Sequence, residues 1–320
     1  MSLRHMITTK NTITVMLIFV SASVFASNIG GFTGSTARLA ADPLAAGTGG
    51  ITLFQNSSTN SYASNPASQA FLTSKRFDAS LVDMSLGRYL YTTSASVPLP
   101  PTAQLSVGLF AAGTKDITAR DSRGIDAGKL SDGEITYSVS FSNQFSDKLA
   151  IGISLKLLTR SLKSEDEWFD LSGSGFGAGV GALYTINDRS TVAMAIRDWN
   201  SSYKWKTQDL FDQGSSYKDE FPMSLAWGWM QELNQFTLAI EHDHYFAGEE
   251  IFRTALLWHG IEGITLHTGF SYEDAIIIPG VSARFEKALI KGLPMHIDIG
   301  LINGIVGEGI RTYMGWGMTF

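Results

Sequence analysis

The chain has 320 residues, a formal net charge of −6 and no cysteine. The missing cysteine excludes disulfides, thiolate metal sites, a thiol nucleophile and a lipoprotein anchor. The acidic balance argues against nucleic acid or anionic lipid as a main partner. Hydrophobic residues make up 44% of the chain, charged residues make up 17%, and mean hydropathy is +0.06. After the N-terminus the chain has no long apolar run. The hydrophobic content therefore fits β-strands that have one apolar face and one face of small polar residues.

The N-terminus has the pattern of a secretory signal peptide. Arg4 and Lys10 precede an apolar run over residues 13–20, and Ala26 ends a stretch of short side chains. We expect cleavage after Ala26. An uncleaved anchor helix is the alternative, but the run is shorter than the roughly 20 residues that a bilayer span needs. Cleavage would leave 22 basic and 30 acidic residues, a net charge of −8.

Strict period-two alternation recurs from residue 103 to the end. In Leu105–Leu109, Ile135–Ser142 and Leu149–Leu157, one face is large and apolar and the other is small. A helix would need apolar spacings of three and four. A soluble β-sandwich also alternates, but its second face is typically Lys- and Glu-rich, whereas here it is Gly, Ala, Ser and Thr. The pattern therefore favours a barrel with a narrow polar lumen.

The last predicted strand places four residues on one face: Met314, Trp316, Met318 and Phe320. A terminal aromatic residue preceded by apolar residues at every second position resembles the signature that the outer-membrane barrel assembly machinery reads. Together with the signal peptide, this resemblance implies a barrel in the lipid of a bacterial outer membrane.

Alternation predicts a transmembrane antiparallel β-barrel of about fourteen strands over residues 76–320. We expect the strands near 77–87, 88–97, 103–111, 134–145, 148–162, 173–187, 190–200, 221–232, 235–246, 251–259, 262–272, 278–288, 293–302 and 310–320. The connections at alternate ends are short, whereas those near 113–133, 163–172 and 201–220 are long and polar. Short periplasmic turns and long external loops are typical of outer-membrane barrels.

The segment over residues 27–75 has a different composition, rich in Gly, Ala, Ser, Thr and Asn. Such small residues would let the backbone pack closely inside a barrel as a hatch or plug. The alternative is a flexible periplasmic tail.

This segment resembles the N-terminal pattern of PorV/PorQ-type proteins, which are similar to FadL-type fatty-acid channels. The residues that carry the likeness are Arg38, Gly47, Gly49, Gly50, Asn65, Pro66 and Ala67. Further loose matches follow in order at 145–156, 177–184, 196–200 and 221–222. The resemblance covers nearly the whole mature chain and implies fourteen strands with a luminal hatch. Asn56, Ser57 and Ser58 replace the paired acids that often precede the Asn-Pro-Ala motif, and Ser68 replaces the glycine that commonly follows it.

Alternation also places charged side chains toward the lumen: Lys156, Arg197, Glu241, Asp243, Arg284, Glu286 and Asp298, with His267 and His296. They would line a polar path, hold the hatch through charge pairs, or form wall-to-wall salt bridges without a part in transport. Glu241 and Asp243 face away from His242 and His244, so the densest histidine cluster lacks converging ligands. We predict no enzymatic activity, no metal and no cofactor.

The predicted external loops are aromatic, at Trp168, Phe169, Trp199, Tyr203, Trp205, Phe211 and Tyr217. These rings would form an apolar capture groove or a partner-docking surface, or serve as ordinary interfacial girdle aromatics.

Two functions stay open. One is FadL-like passive transport of a hydrophobic small molecule, which a neutral, apolar lumen pocket would favour. The other is a PorV/PorQ-like barrel that transports nothing and binds protein partners in type IX-like secretion or surface attachment. A hatch held by salt bridges beneath an aromatic external rim would favour that second function.

Overall fold

The computed structural model describes residues 32–320 except 56–57, 166–169, 207–215, 274–275, 291–292 and 304–308. The predicted signal peptide lies outside the described residues. No helix in the described part of the chain is long and apolar enough to cross a membrane. The strands are β1 Arg76–Met84, β2 Arg88–Leu99, β3 Ala103–Arg120, β4 Asp126–Gln144, β5 Leu149–Ser164, β6 Asp170–Asn187, β7 Ser190–Trp199, β8 Ser202–Lys206, β9 Tyr217–Glu220, β10 Ser224–Leu233, β11 Phe236–Tyr245, β12 Glu249–Ile261, β13 Ile264–Glu273, β14 Ile276–Ile290, β15 Leu293–Asn303 and β16 Ile310–Thr319.

Fourteen of these strands, β1–β7 and β10–β16, form a closed antiparallel barrel. Each strand pairs with its neighbour in the ring, and β1 closes the barrel against β16, with Arg76 opposite Thr319. Closure satisfies the backbone groups that an open edge strand would leave unpaired. The prediction of a fourteen-stranded antiparallel barrel is confirmed.

Two segments predicted as long loops contain strands instead. β3 and β4 extend to Arg120 and back from Asp126, so residues 113–133 are mostly a long hairpin. Their side chains are polar on both faces, which removes the alternation, but backbone pairing does not depend on alternation. A bulge between Thr114 and Ile117, where Asp116 has a φ of 57°, bends this hairpin. Within 201–220, β8 and β9 form a second hairpin that adds to β6 at residues 172–174.

The two faces of the wall differ as alternation requires. On β5, Leu155 points outward and is 64% exposed, whereas its neighbour Ser154 points inward and is 1% exposed. The same outward apolar band continues through Val107, Val139, Ile299 and Met314. Ser, Thr, Ala and Gly dominate the inner face.

The described residues of 32–72, which we call the hatch segment, pack against the inner face of the barrel. They contain helices α1 (Pro43–Gly47) and α2 (Ser61–Ser64) and two 3₁₀ turns, Thr36–Arg38 and Pro66–Gln69. Helix α1 packs against β14 and β15, whereas α2 and the second turn pack against β4–β6.

Asp42 joins the two halves of the hatch segment. One carboxylate oxygen caps α1 by accepting from the backbone N of Ala45 at 2.9 Å. The other oxygen accepts from the backbone N of Thr59 at 2.9 Å and from the hydroxyl of Ser58. Burial raises the pKa of Asp42, while these hydrogen bonds to Ser58 and Ala45 act in the opposite direction.

Wall glycines let the hatch segment approach the strands. A Cβ at Gly280 of β14 would lie 1.9 Å from the carbonyl oxygen of Ala46, and one at Gly152 of β5 would lie 2.6 Å from the carbonyl carbon of Pro66. Because backbone atoms occupy these positions, no side chain fits without moving the hatch segment.

Candidate functional site: the contacts between hatch and wall

Four charged side chains meet on the inner wall beside the hatch segment. Arg197 of β7 donates to Glu241 at 2.9 Å and to Asp243 at 2.9 Å. Arg253 of β12 pairs with Asp243 and lies 3.5 Å from Glu241. All four are largely or fully buried. Two acids and two arginines balance in charge, which is the condition for keeping ions in a buried site. We call these four residues the charge cluster.

The charge cluster binds the hatch segment directly. Glu241 accepts from the backbone N of Thr52 at 2.9 Å and from that of Leu53 at 3.0 Å. Arg197 donates to the hydroxyl of Thr52 at 2.9 Å and to the carbonyl of Ser64 at 3.1 Å. The cluster therefore connects wall strands β7, β11 and β12 to two separate parts of the hatch segment.

Alternation predicted Arg197, Glu241 and Asp243 in the lumen, whereas Arg253 was not predicted there. The alternation of β12 did carry the signal, because Ile251, Arg253 and Ala255 share one buried face. Arg253 also lies directly opposite Glu241 in the β11–β12 register.

The Asn-Pro-Ala motif forms a rigid corner of the hatch segment. The side chain of Asn65 donates to the carbonyl of Leu53 at 2.8 Å and accepts from the backbone N of Ala67 at 3.1 Å. Pro66 opens the 3₁₀ turn, where its missing N–H costs nothing. A Cβ at Gly181 of β6 would lie 1.9 Å from the side-chain oxygen of Asn65, so the wall is shaped around this residue.

The predicted glycine motif contacts the opposite wall. Gly49 has a φ of +67° with its Cβ position 2.5 Å from the backbone of Phe270. Gly50 has a φ of +91° and faces Arg253 of the charge cluster. Gly47 packs on Ser282. Arg38 donates to the carbonyl of Thr33 at 2.9 Å, and so bonds within the hatch segment.

A second group of charges lies on the inner faces of β1, β14 and β15. Arg284 and Asp298 form a two-pronged pair at 2.8 and 2.7 Å. His296 lies 3.2 Å from Asp78. Glu286, predicted as a lumen charge, is exposed because on one side its strand neighbour is the turn at Gly263, to whose carbonyl its backbone N donates at 2.7 Å.

Lys156 and His267 also lie on the inner face. Lys156 pairs with Asp198 at 2.9 Å. Asp198 has a φ of 55° at a bulge in β7, and this irregularity turns its carboxylate toward the lumen. His267 contacts the hydroxyl of Ser282 at 2.9 Å.

A cavity of about 70 Å³ lies between the hatch segment and the wall. Apolar side chains line part of it, including Phe110, Leu158 and Phe221. Charged groups line the rest, including Lys156 and Arg197. The cavity has room for a few water molecules and is neither neutral nor uniformly apolar.

The predicted external aromatic surface needs correction. Tyr203 is 0% exposed and packs against Trp205 and Phe221 with ring centroids 5.8 and 5.2 Å apart. Trp205 is half-buried over Gly173. Both belong to β8, which pairs with β6, and both rings pack in one apolar cluster with Leu158 and Phe221. Trp199 and Tyr217 are exposed, whereas Trp168, Phe169 and Phe211 lie outside the described residues.

The predicted assembly signal lies on the outward face of β16. Met314, Trp316 and Phe320 are exposed, and Met318 is half-buried. The backbone N of Phe320 donates to the carbonyl of Lys75 at 2.9 Å, which closes the seam with β1.

His242 and His244 lie on the outer wall and share Glu250, at 2.5 and 2.6 Å. Within the described ranges, no group of three or more His, Cys, Asp or Glu side chains is arranged to hold a metal ion.

No protein-family model matches the chain, and no curated protein matches it. Solved barrels do match. The toluene transporter TodX of Pseudomonas putida has a TM-score of 0.63 at 14% identity, over 87% of this chain and 98% of that one. The monoaromatic hydrocarbon channel CymD has a TM-score of 0.66 at 12% identity, over 90% and 99%. A Pseudomonas aeruginosa FadL homologue has a TM-score of 0.61 at 10% identity, over 87% and 96%.

These comparisons give the PorV/PorQ part of the resemblance no support. The chain has the fold of FadL-type hydrocarbon-channel barrels.

Proposed function

We propose that this chain is an outer-membrane barrel that lets a hydrophobic small molecule cross passively, with the hatch segment controlling the path. The observation that carries the proposal is the whole-length likeness to toluene and monoaromatic hydrocarbon channels. The outward apolar band supports a place in lipid. The C-terminal strand, with its outward Met, Trp and Phe residues, supports recognition by the barrel assembly machinery.

The hatch segment contacts β13–β16 on one side of the lumen and β4–β6 on the other, so on this proposal a hydrophobic molecule passes only when the segment moves. The charge cluster and the wall glycines define its closed position. A ligand entering from outside would first reach the cavity beside Phe110, Leu158 and Phe221. On this proposal, occupation of that cavity favours a second position of the hatch segment.

A specific observation favours a second candidate function. The charge cluster bonds the hatch segment to the wall, and the cavity is partly charged. Both features fit a barrel that stays closed and binds a secretion or surface-attachment protein. The exposed Trp199 and Tyr217 would belong to that surface.

Native mass spectrometry of the protein, extracted gently from its own outer membrane, separates the two functions. Passive transport predicts a bound apolar molecule that is lost when Asn65 and Pro66 are replaced by alanine. An empty barrel with a stoichiometric protein partner would contradict transport and support the second function.

A further inference from the structure

Strands β3–β5 carry small polar side chains on their inner faces, in register with one another. Gln104 of β3 lies opposite Ser142 of β4. Two residues further along β3, on the same inner face, Ser106, Ser140 and Ser154 lie side by side on β3, β4 and β5. We call these five residues the polar column. It runs from the periplasmic end of β3 toward the cavity, which is lined by residues of the next rows, such as Ser138 and Phe110.

Three members of the polar column have unused hydrogen-bonding capacity. Gln104 is 0% exposed, and Ser142 and Ser154 are each 1% exposed. Among the described residues, the side-chain N and O of Gln104 and the hydroxyls of the two serines have no hydrogen-bond partner. Buried polar groups in proteins almost always have a partner. An amide and two hydroxyls both donate and accept, so they suit water or an uncharged hydroxylated solute.

Tyr62 of the hatch segment separates the polar column from the cavity. Its ring is 1% exposed and lies against Gly108, where a Cβ would come within 2.1 Å of the tyrosine hydroxyl oxygen. That hydroxyl hydrogen-bonds with Ser138, which lies opposite Gly108. The ring of Tyr62 therefore lies over the Gly108–Ser138 pair, between the polar column and the cavity. Gly108 has no side chain and so leaves room for the ring.

We propose that the polar column is a second conduit, for small uncharged hydroxylated solutes, and that the ring of Tyr62 closes it. This function goes beyond hydrophobic transport because the chemistry of the path is different. The charge cluster lies on β7, β11 and β12, and it bonds the hatch segment at Thr52, Leu53 and the carbonyl of Ser64, not at the side chain of Tyr62. The ring can therefore leave its row while the charge cluster still holds the hatch segment.

The test is a swelling assay on liposomes that contain the full chain, in isosmotic arabinose. Tyr62→Ala is expected to raise the swelling rate severalfold above wild type. Tyr62→Phe keeps the ring and is expected to swell at the wild-type rate. Adding Gln104→Leu and Ser142→Ala to Tyr62→Ala is expected to return the rate most of the way to wild type. The heat-dependent electrophoretic shift of each variant measures the folded fraction, by which rates are normalised.

Two results would overturn the proposal. If folded Tyr62→Ala swells no faster than wild type, the ring does not close a path. If the triple variant swells as fast as Tyr62→Ala, solute passes through a generally loosened hatch segment and not along the polar column. Neither result bears on uptake of a hydrophobic molecule, so this proposal and hydrophobic transport fail separately.

Discussion

At the residue scale, Glu241 contacts both the wall and the hatch segment. Its carboxylate pairs with Arg197 and accepts two backbone N–H groups of the hatch segment. Alternation along β11 was enough to place Glu241 in the lumen. Its hatch partners were not predictable, because Thr52 and Leu53 are almost 190 residues away in sequence and their position depends on the whole closed barrel.

Glu241→Gln is expected to loosen the hatch segment. The substitution leaves two buried arginines facing one carboxylate, and removing one partner of a buried ion pair costs on the order of 3 kcal/mol. Hydrogen–deuterium exchange at the amides of Thr52 and Leu53 should become faster. Asp132→Asn is the matched control, because its pair with Arg160 is about one quarter exposed and should contribute less than about 1 kcal/mol. Equal exchange in wild type and Glu241→Gln would show that the charge cluster does not hold the segment.

At the element scale, the sequence predicted the strands best where one face meets an apolar surface and the other faces the hatch segment. It failed for residues 113–133 and for β8–β9, where both faces are polar or the apolar residues pack on each other. Tyr203 shows why, since its ring is buried by Phe221 and Trp205, partners that period-two alternation does not reveal.

The glycines on the inner face of the wall let the hatch segment lie close to the strands. Gly280→Ala would place a methyl group 1.9 Å from the carbonyl oxygen of Ala46, so α1 is expected to move away from β14. Limited proteolysis should then cleave the hatch segment faster than in wild type. Gly133→Ala is the control, because the nearest atom to its Cβ position is 3.9 Å away. Similar cleavage of both variants would mean that the close approach at Gly280 does not fix α1.

At the scale of the whole molecule, composition and alternation predicted the closed barrel and its strand number. The charge balance of the lumen depends on pairings such as Glu241 with Arg253, which only the strand register reveals. On the proposed place in a membrane, the outward band sets the height at which lipid surrounds the barrel. Leu155 lies within this band and Ser131 lies on the external extension of β4.

Leu155→Arg is therefore expected to lower the free energy of unfolding in lipid vesicles by about 2–4 kcal/mol, the cost of a lipid-facing arginine near the midplane. Ser131→Arg should change it little, because water surrounds the extension. Urea titration of both variants in vesicles measures the difference. A tolerated arginine at residue 155 would place the bilayer elsewhere on the barrel.

Passive entry of a hydrophobic molecule under control of the hatch segment can be tested directly, because the chain contains no native cysteine. The hydroxyl oxygens of Thr59 in the hatch segment and Thr92 in β2 are 2.5 Å apart, so Thr59→Cys/Thr92→Cys is expected to form a disulfide that fixes the segment to the wall. The measurement is uptake of labelled toluene by bacterial cells whose outer membrane carries this variant, oxidised or reduced, or the wild type. We expect faster uptake with wild type than in cells without the chain; in the variant, oxidation should abolish that gain and reduction should restore it. If cells with the wild-type chain take up toluene no faster than cells without it, the barrel does not provide passive entry for this molecule.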